Sequence, residues 1–457
     1  MKGAVIMASQ GYYLPGLYVE EGSVPVPLDW ADSEPGSWRP DGNPGEPTIS
    51  CFYRTICSPE HVHDDLPLLV YLQGGPGSGG PRPLDSTSDG WIAEAVKHFR
   101  IVLPDQRGTG RSSAIDSHTM RTLDQPKTQA SYLKHFLADS IVRDFEHLRR
   151  TVFAGRAWVT LGQSYGGFLT LAYLSAFPEG VAASFTTGGI PHVPADPTEV
   201  YAHTFPRMKA KTEAFYQRYP QDRERVAAIA DRLSRGDVTL PGGDPLTVER
   251  FQTLGTDLGR QSGAARLHWL LDTAFLKDDG SIPAKGDVVL SDTFLEGVRT
   301  ATSSTPLYWP LQEFIYADGD CGPIRWAGQR VRDQHPEFRV DSSPLLFTGE
   351  VIFPWMFEQE EALKPFAPAV NLLMEDGHWG RLYDQNRLAS NSVPLQAAVY
   401  FDDLYVDSGM QLDTLSRVGN SHAWVTNQFE HDGLHGNQVF AHLYGEALNR
   451  GDLERLF

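Results

Sequence analysis

The residues best suited to chemistry lie in the segment Gly162-Gln163-Ser164-Tyr165-Gly166-Gly167. An apolar run that predicts a strand, Trp158 to Leu161, precedes this segment, and a run with helical spacing follows it from Phe168. A chain that passes directly from strand to helix strains the turn residue, and small neighbours are needed where other segments approach. The pattern therefore predicts a nucleophilic Ser164 at the carboxyl edge of a sheet. A glycine-rich turn without a function is the alternative.

Two backbone N–H groups are candidates for stabilising the oxyanion that forms when a serine attacks a carbonyl group. The N–H of Tyr165 begins the predicted helix and lacks a partner within it. The turn Gln73-Gly74-Gly75-Pro76-Gly77 follows the apolar run Pro67 to Leu72, and its consecutive glycines let the backbone turn its amides inward. We therefore expect Gly75 to be the second donor, with a plain tight turn as the alternative.

A serine hydroxyl needs a base within hydrogen-bond reach, and the base needs a carboxylate that orients it. His431 is the favoured base, because it follows the predicted strand Ala423 to Asn427 and precedes Gly433. His422 precedes that strand and so lies at its wrong end. His442 is predicted to lie on a helix surface or in the core, and His435 is a further candidate.

Three carboxylates compete for the role of the orienting acid. Asp402 and Asp403 follow the apolar run Leu395 to Phe401, whereas Glu350 follows the strand-like run Leu345 to Thr348. We favour Asp403, because the segment between it and His431 fits one connection between adjacent strands.

The elements that must position these residues alternate between strand and helix, which is the α/β pattern. Residues 48 to 57 predict a strand at the start of the sheet with one exposed face. The runs Pro67 to Leu72 and Phe99 to Leu103 are apolar throughout and predict central strands of a parallel sheet. Apolar residues at helical spacing from Ile141 to Val152 predict a crossover helix, and a strand is expected around Ala182 to Thr187.

The residue pattern between positions 193 and 338 differs from that of the flanking segments and predicts an inserted, mainly helical cap domain. It is polar and helix-like, with breaks at Pro241 to Gly243 and Asp279 to Gly280. Strand-like runs resume after it. We therefore expect a catalytic α/β domain formed by residues 1–192 and 339–457, with the cap between its two parts.

Three turns, at residues 162–167, 73–77 and 105–112, together resemble those of the proline iminopeptidase (prolyl aminopeptidase) family of α/β-hydrolases. Members of this family are serine peptidases that remove an N-terminal proline. The third turn, Asp-Gln-Arg-Gly-Thr-Gly-Arg-Ser at 105–112, contains Asp105 and Arg107, which we expect to brace the loop. The resemblance covers nearly the whole chain, and it is most specific to the larger-subunit branch. It continues in Phe347-Thr348-Gly349-Glu350, Pro354-Trp355-Met356-Phe357, the segment 399–407 and Glu430-His431-Asp432-Gly433-Leu434. Gln73 departs from the family, in which many members carry His there, but this change leaves the glycine amides untouched.

The resemblance implies an α/β-hydrolase fold, meaning a mostly parallel sheet flanked by helices, and the release of an N-terminal proline from peptides through a prolyl-enzyme intermediate. It also places the acid in the Tyr-Phe-Asp-Asp segment that contains Asp403. An aminopeptidase must neutralise the α-ammonium group of its substrate, which requires carboxylates in a partly dry pocket. Asp272 and Glu313 lie in apolar helical segments of the cap, and Glu350 is a third candidate. A structural ion pair or a solvent-facing position is the alternative for each, and relatives tend to carry Glu where Asp272 stands.

Composition narrows the possible partners. The 457 residues carry a formal net charge of −19, which opposes a phosphate backbone, so we expect no nucleic-acid partner. His61 and His63 lack a clear third ligand, and the segment 74–80 lacks both a P-loop lysine and dinucleotide spacing. We therefore expect no metal and no cofactor.

The expected compartment is the cytoplasm. Three cysteines cannot form a disulfide framework. The apolar stretch within Met1 to Gln10 is too short for a secretory signal, and no segment is long enough to span a membrane.

Two other function classes remain open from the sequence. An esterase or amidase that acts on small esters or amides would use the same triad, and a non-catalytic binding protein would use the same scaffold. The oligomeric state does not follow from the sequence.

Overall fold

The fold is seen in a computed structural model that describes residues 11–30, 47–276, 281–284, 286, 288–303 and 307–456. The segment Met1 to Gln10, in which no secretory signal is expected, lies outside these residues. The break predicted at Asp279 to Gly280 also lies outside them.

The described strands are β1 (Tyr12–Leu14), β2 (Leu17–Pro27), β3 (Thr48–Cys57), β4 (Leu68–Leu72), β5 (Arg100–Pro104), β6 (Trp158–Gln163), β7 (Val181–Thr187), β8 (Leu395–Tyr400) and β9 (Ser421–Thr426). They form one sheet in the order β1-β2-β3-β5-β4-β6-β7-β8-β9. The pairs that involve β1, β2 and β3 are antiparallel, whereas every neighbouring pair from β5 to β9 is parallel. The carboxyl ends of the parallel strands therefore share one edge.

The described α-helices are α1 (Gly90–Ala95), α2 (Ser117–Arg121), α3 (Pro126–Lys134), α4 (Ala138–Thr151), α5 (Tyr165–Ala176), α6 (Pro197–Arg218), α7 (Pro220–Leu233), α8 (Val248–Gln252), α9 (Gly263–Asp272), α10 (Asp292–Thr302), α11 (Tyr308–Gln312), α12 (Ala327–Arg332), α13 (Pro354–Gln359), α14 (Ala367–Met374), α15 (Gln385–Ala389), α16 (Ser408–Leu415) and α17 (Gln438–Asn449). No helix among the described residues is both long and apolar enough to cross a bilayer.

Helices cover both faces of the sheet, so the central strands are buried on both sides. In β4, Val70 and Leu72 belong to the core shared with α4, α5 and the inserted helices. Leu69 and Tyr71 alternate with them and belong to the opposite core, which α1 and α17 cover. This confirms the prediction of central parallel strands from runs that are apolar throughout.

Two sequence-based expectations about strands were wrong. Strand β3 does not begin the sheet, because β2 pairs along its whole length, and its residues from Cys51 onward are buried. The run Leu345 to Thr348 is not a strand. Its backbone bonds to the inserted helices instead, since the Phe347 N–H donates to Thr212 Oγ1 at 3.2 Å and the Thr348 N–H to the Gln252 carbonyl at 2.9 Å.

The chain between β7 and β8 carries the helices α6 to α15 and no strand within the described residues. Of these, α14 packs against α3 and α15 against α5, on the body of the sheet. The 345–348 segment contacts α6 and α8. The cap boundaries at 193 and 338 stay predictions.

Candidate active site

Ser164 lies at the turn between β6 and α5, in a backbone conformation that few non-glycine residues adopt. Its φ is 55° and its ψ is −125°. The Ser164 N–H donates to the Thr187 carbonyl at 3.0 Å, which fixes the turn against β7. A Cβ on Gly162 would lie 2.3 Å from the Gly166 carbonyl oxygen, and one on Gly166 would lie 1.8 Å from the Leu72 carbonyl oxygen. Only glycine fits at positions 162 and 166, so the strained turn depends on these two residues.

The turn after β4 packs directly against Ser164. A Cβ on Gly74 would lie 3.1 Å from the Ser164 Cβ, which places the next residue, Gly75, beside the serine. Gly75 has a φ of 122° and lines the same cavity as Ser164. Tyr165 is the first residue of α5, so its N–H has no acceptor inside the helix. The two predicted oxyanion donors therefore flank the serine.

Asp403 and His431 form a buried hydrogen-bonded pair. Asp403 Oδ2 lies 2.8 Å from His431 Nδ1, and both side chains are at most 10% exposed. Asp403 Oδ1 accepts the N–H groups of Tyr405 at 2.8 Å and Val406 at 3.1 Å, which holds the carboxylate in place. With Nδ1 engaged in this way, Nε2 is the imidazole nitrogen left for the serine.

Burial alone would lower the pKa of the His431 imidazole. The charge of Asp403, its hydrogen bond to the ring and the charge of Glu350 all act in the opposite direction. Together they outweigh the effect of burial, so the pKa of His431 is raised. Tyr405 packs edge-on against the ring with centroids 4.6 Å apart. Within the described ranges the Ser164 hydroxyl makes no hydrogen bond, and catalytic hydrogen bonds of this kind often tighten only when substrate binds.

The loop that carries His431 is bonded to the inserted unit on both sides of the histidine. The His431 N–H donates to the Gly259 carbonyl at 3.1 Å. The Gln261 N–H donates to Asp432 Oδ1 at 2.8 Å, and Lys211 Nζ lies 2.6 Å from both carboxylate oxygens of Glu430. The position of the histidine therefore depends on the inserted helices as well as on the sheet.

Ser164, His431, Gly75 and Glu350 line one cavity of about 410 Å³. Burial raises the pKa of Glu350 to about 7, with the Asp403 charge adding to this effect and the charges of His431 and Arg260 opposing it. The Glu350 carboxyl group makes no hydrogen bond to any described residue, although it faces the cavity. Among the described residues it is therefore an acid without a hydrogen-bond partner in the cavity of the serine.

The structure does not bring Asp272 to this cavity. Asp272 Oδ1 pairs with Arg225 Nη2 at 2.6 Å, and its side chain is 45% exposed. This placement does not support the prediction that Asp272 binds the substrate amine, because its side chain faces Arg225 and solvent. The contact with Arg225 fits the alternative, in which Asp272 forms a structural ion pair.

Glu313 is fully buried, but it does not line the cavity either. Its Oε1 accepts the Gly328 N–H at 2.7 Å at the start of α12, whereas Oε2 has no partner among the described residues. Burial raises the pKa of Glu313 to about 8. These contacts describe a helix cap, and they place no part of Glu313 beside Ser164.

The remaining candidates lie away from the pairing of acid and base. Asp402 is exposed. His422 lies within β9. His442 lies within α17, and its ring packs at a tilt against Trp424 with ring centroids 3.9 Å apart. His435 lines the cavity, but its Nδ1 lies 3.1 Å from Asp89 Oδ2.

Among the cavity-lining residues that the sequence did not predict are Arg260, Tyr308, Tyr405 and Asp432. Asp432 and Tyr405 each lie within two residues of a predicted catalytic residue, and this adjacency was the available signal. Arg260 and Tyr308 come from the inserted unit, and no motif marks them.

The loop after β5 has the bracing contacts predicted for it. Arg107 Nε and Nη2 donate to the Asp144 carboxylate at 2.7 and 2.5 Å, and both side chains are fully buried. Arg82 Nη2 donates to Asp105 Oδ2 at 2.6 Å. These pairs hold the loop next to the glycine turn after β4.

Comparison with known proteins agrees with this architecture. The sequence pattern of the alpha/beta hydrolase fold matches residues 67–231. The chain is 41% identical over 444 residues to "Proline iminopeptidase" of Aeromonas sobria, which covers 96% of this chain and 98% of the relative. It is 33% identical over 412 residues to "Proline iminopeptidase aneH" of Aspergillus aculeatus, covering 86% and 87%. The crystal structure of a Mycobacterium smegmatis proline iminopeptidase superposes with a TM-score of 0.40 at 13% identity, over 89% of this chain and 97% of that chain, a likeness too distant to bear on the site.

The two long matches span nearly the whole of this chain and nearly the whole of each relative. They confirm the resemblance that the three turns carry in the sequence. With the parallel sheet and its flanking helices, they establish that this chain belongs to the proline iminopeptidase family of α/β-hydrolases.

Proposed function

We propose that the protein is a serine aminopeptidase that releases an N-terminal proline from peptides. One observation carries this proposal beyond family membership: the unpartnered Glu350 carboxyl group lines the same cavity as Ser164 and His431. A carboxylate in that position supplies the counter-charge that a free α-ammonium group needs when it leaves water.

In the proposed acylation step, the Ser164 hydroxyl oxygen bonds to the carbonyl carbon of the proline residue while His431 Nε2 takes the hydroxyl proton. The N–H groups of Gly75 and Tyr165 donate to the resulting oxyanion, and Asp403 stabilises the imidazolium. The carbon–nitrogen bond then breaks, and the imidazolium gives its proton to the departing amine of the next residue. A prolyl ester of Ser164 remains.

Water completes the cycle. His431 Nε2 takes a proton from a water molecule that attacks the ester carbonyl, and the bond from this carbon to the Ser164 oxygen breaks. The proton then returns to the serine, and free proline leaves.

Glu350 separates this proposal from the esterase alternative. An ester of a simple acid has no ammonium group, so a buried carboxylate beside the serine would only repel the developing oxyanion. In an aminopeptidase the same charge fixes the N-terminus, and it blocks substrates whose amine is acylated.

The test is the hydrolysis of proline p-nitroanilide, compared with its N-acetylated form and with alanine p-nitroanilide. We expect the free proline compound to react, the acetylated one to react at least roughly 100-fold more slowly in kcat/KM, and Ser164→Ala to lose activity by roughly 10⁴-fold or more. Circular dichroism of Ser164→Ala checks that the variant is folded.

Two outcomes contradict the proposal. Equal rates with and without the acetyl group would show that the protein does not recognise the substrate amine. Full activity of folded Ser164→Ala would show that Ser164 is not the nucleophile. A preference for alanine over proline would leave an aminopeptidase of another specificity.

We further propose that the protein works in the cytoplasm on peptides with a free N-terminal proline. Three free cysteines support this location, namely the buried Cys51 and Cys57 and the exposed Cys321. Thiols of this kind persist in a reducing compartment.

A further inference from the structure

A second cavity, of about 740 Å³, adjoins the cavity that contains Ser164. Ser78, Thr256, Arg260, Arg266 and Tyr308 line both cavities. The two spaces are therefore neighbours on either side of these residues. The proposed catalytic steps use only the first.

The second cavity is lined largely by the inserted unit, and much of its wall is apolar. Leu267 and Leu270 come from α9, and Ala301 comes from α10. Leu254 and Trp309 contribute further apolar surface. Such a lining favours apolar side chains, because their burial removes hydrocarbon surface from water.

Arg260 stands on the shared wall with most of its hydrogen-bonding capacity unused. Its guanidinium group comes only within 3.9 Å of Asp257, and its side chain is 55% exposed. Asp257 is already engaged by Arg266, through two contacts of 2.8 Å. Within the described residues, Arg260 therefore has donors available for a ligand.

The charge of Arg260 also reaches the first cavity. It lowers the pKa of Glu350 and opposes the upward shift of the pKa of His431. Glu350 and Arg260 both line the first cavity, so they place opposite charges on it, and Arg260 also lines the second. Asp432 is a second acid on the first cavity, but one of its oxygens accepts the Gln261 N–H.

This charge pattern matches a short zwitterion. Two extended residues span at most about 7 Å, so a dipeptide whose ammonium group lies at Glu350 has its carboxylate close by. Glu350 and Arg260 line the same cavity of about 410 Å³, which brings both charges to one enclosed space. Arginine binds carboxylates through two parallel hydrogen bonds, which fixes direction as well as charge.

We propose that the second cavity receives the residue that follows the N-terminal proline, and that Arg260 binds the free carboxylate of a dipeptide substrate. The preferred substrates are then dipeptides that begin with proline and end in an apolar residue. This inference rests on the proposed function, because it assumes that the ammonium group lies at Glu350.

The experiment compares Pro-Leu with Pro-Leu-amide, in the wild-type protein and in Arg260→Gln. Wild-type protein should prefer the free acid by roughly 10- to 100-fold in kcat/KM, mainly through KM. Arg260→Gln should abolish this preference by weakening Pro-Leu alone, and Arg260→Lys should keep part of it. Arg325→Gln is the matched control, since Arg325 is exposed, pairs with Glu375 at 3.1 Å and lines neither cavity.

A second variant tests the apolar part of the site. Ala301→Trp, on the exposed face of α10, should fill the cavity and reduce kcat/KM for Pro-Leu by roughly tenfold more than for Pro-Gly. An unchanged ratio of Pro-Leu to Pro-Gly would show that the second residue lies elsewhere.

The outcomes separate the two proposals. If wild-type protein releases proline from none of these compounds or from proline p-nitroanilide, the proposed function fails. The other case is that wild-type protein releases proline while Arg260→Gln keeps the wild-type ratio of kcat/KM for Pro-Leu to kcat/KM for Pro-Leu-amide. In that case the proposed carboxylate site is wrong and the proposed function stands.

Discussion

Glu350 and His431 share one cavity, and each changes the affinity of the other for a proton. The Glu350 charge raises the pKa of His431, and the His431 charge lowers that of Glu350, whose burial still keeps it at about 7. The proposed mechanism needs the ionised carboxylate and the neutral imidazole. Both groups reach these forms as the pH rises.

We predict that kcat/KM for proline p-nitroanilide falls as the pH drops through about 7, because protonated Glu350 cannot pair with an ammonium group. Glu350→Gln should raise KM by roughly 10- to 100-fold. It should also shift the remaining ionisation to lower pH, because His431 loses a carboxylate that favours its charged form. Steady-state kinetics between pH 5 and pH 9 measure both effects.

Glu360 provides the matched control for this experiment. Burial also raises its pKa to about 7, but it lies 3.6 Å from Arg250 and does not line the cavity. Glu360→Gln should keep the wild-type pH profile. If the profile of Glu350→Gln is also unchanged, Glu350 does not bind the amine.

The sequence predicted the residues of the proposed triad because each follows a strand of the parallel sheet, where the fold places reactive groups. It did not separate Glu350 from Asp272 and Glu313. All three have apolar neighbours in the sequence. The direction in which a carboxylate points depends on distant partners, such as Arg225 for Asp272 and Gly328 for Glu313. Arg260 was missed because a lone arginine carries no spacing signal.

At the scale of elements, the turn between β6 and α5 depends on two glycines at which the backbones of neighbouring segments come into contact. Gly166 meets β4 at the Leu72 carbonyl group, and Gly162 meets α5 at the Gly166 carbonyl group. A side chain at either position must push α5 away from a central strand of the sheet.

We predict that Gly166→Ala destabilises the protein by roughly 3 kcal/mol or more, because its Cβ would lie 1.8 Å from the Leu72 carbonyl oxygen. Activity should fall with it, since the displaced turn carries Ser164. Urea denaturation together with kcat measures the two losses.

Gly445→Ala is the contrasting variant in α17, where an added Cβ meets no atom within 4 Å. It should stabilise the protein by up to about 1 kcal/mol, because alanine loses less backbone entropy in a helix. Wild-type stability and activity in Gly166→Ala would contradict the role given to the close approach.

Periodicity predicted β3 to β9 and the crossover helix α4 nearly at their observed positions. It failed at Leu345 to Thr348, where inserted helices bury an apolar run as completely as a sheet would. Such a short run looks the same in sequence whether helices or strands cover it. The strands β1 and β2 were not predicted, and β2 gives β3 its second neighbour.

At the scale of the whole molecule, Glu313 couples folding to pH. Its pKa rises from 4.5 to about 8 on burial, so the folded protein holds a proton that the unfolded chain loses. Stability is therefore lost as the pH increases between these two values, by at most about 1.4 kcal/mol per pH unit.

We predict that Glu313→Gln matches the wild-type free energy of unfolding near pH 5 and exceeds it progressively up to pH 8, by roughly 4 kcal/mol at that pH. The glutamine keeps the neutral form and can still accept the Gly328 N–H. Urea unfolding at several pH values measures the difference.

The exposed Glu358 serves as the control, and Glu358→Gln should follow the wild-type curve. A constant difference between Glu313→Gln and wild-type protein across the pH range would mean that Glu313 is ionised in the folded state.

The bonds from Gly259, Gln261 and Lys211 to the 430–432 loop have a consequence for how a substrate enters. A hinge motion that lifted the helices from the sheet would pull the imidazole away from the serine. The inserted helices would then have to move away from the sheet to admit a substrate and move back before His431 could act on Ser164. We therefore expect substrates to enter without such a hinge motion, so that extended peptide ends react faster than N-termini held within folded domains.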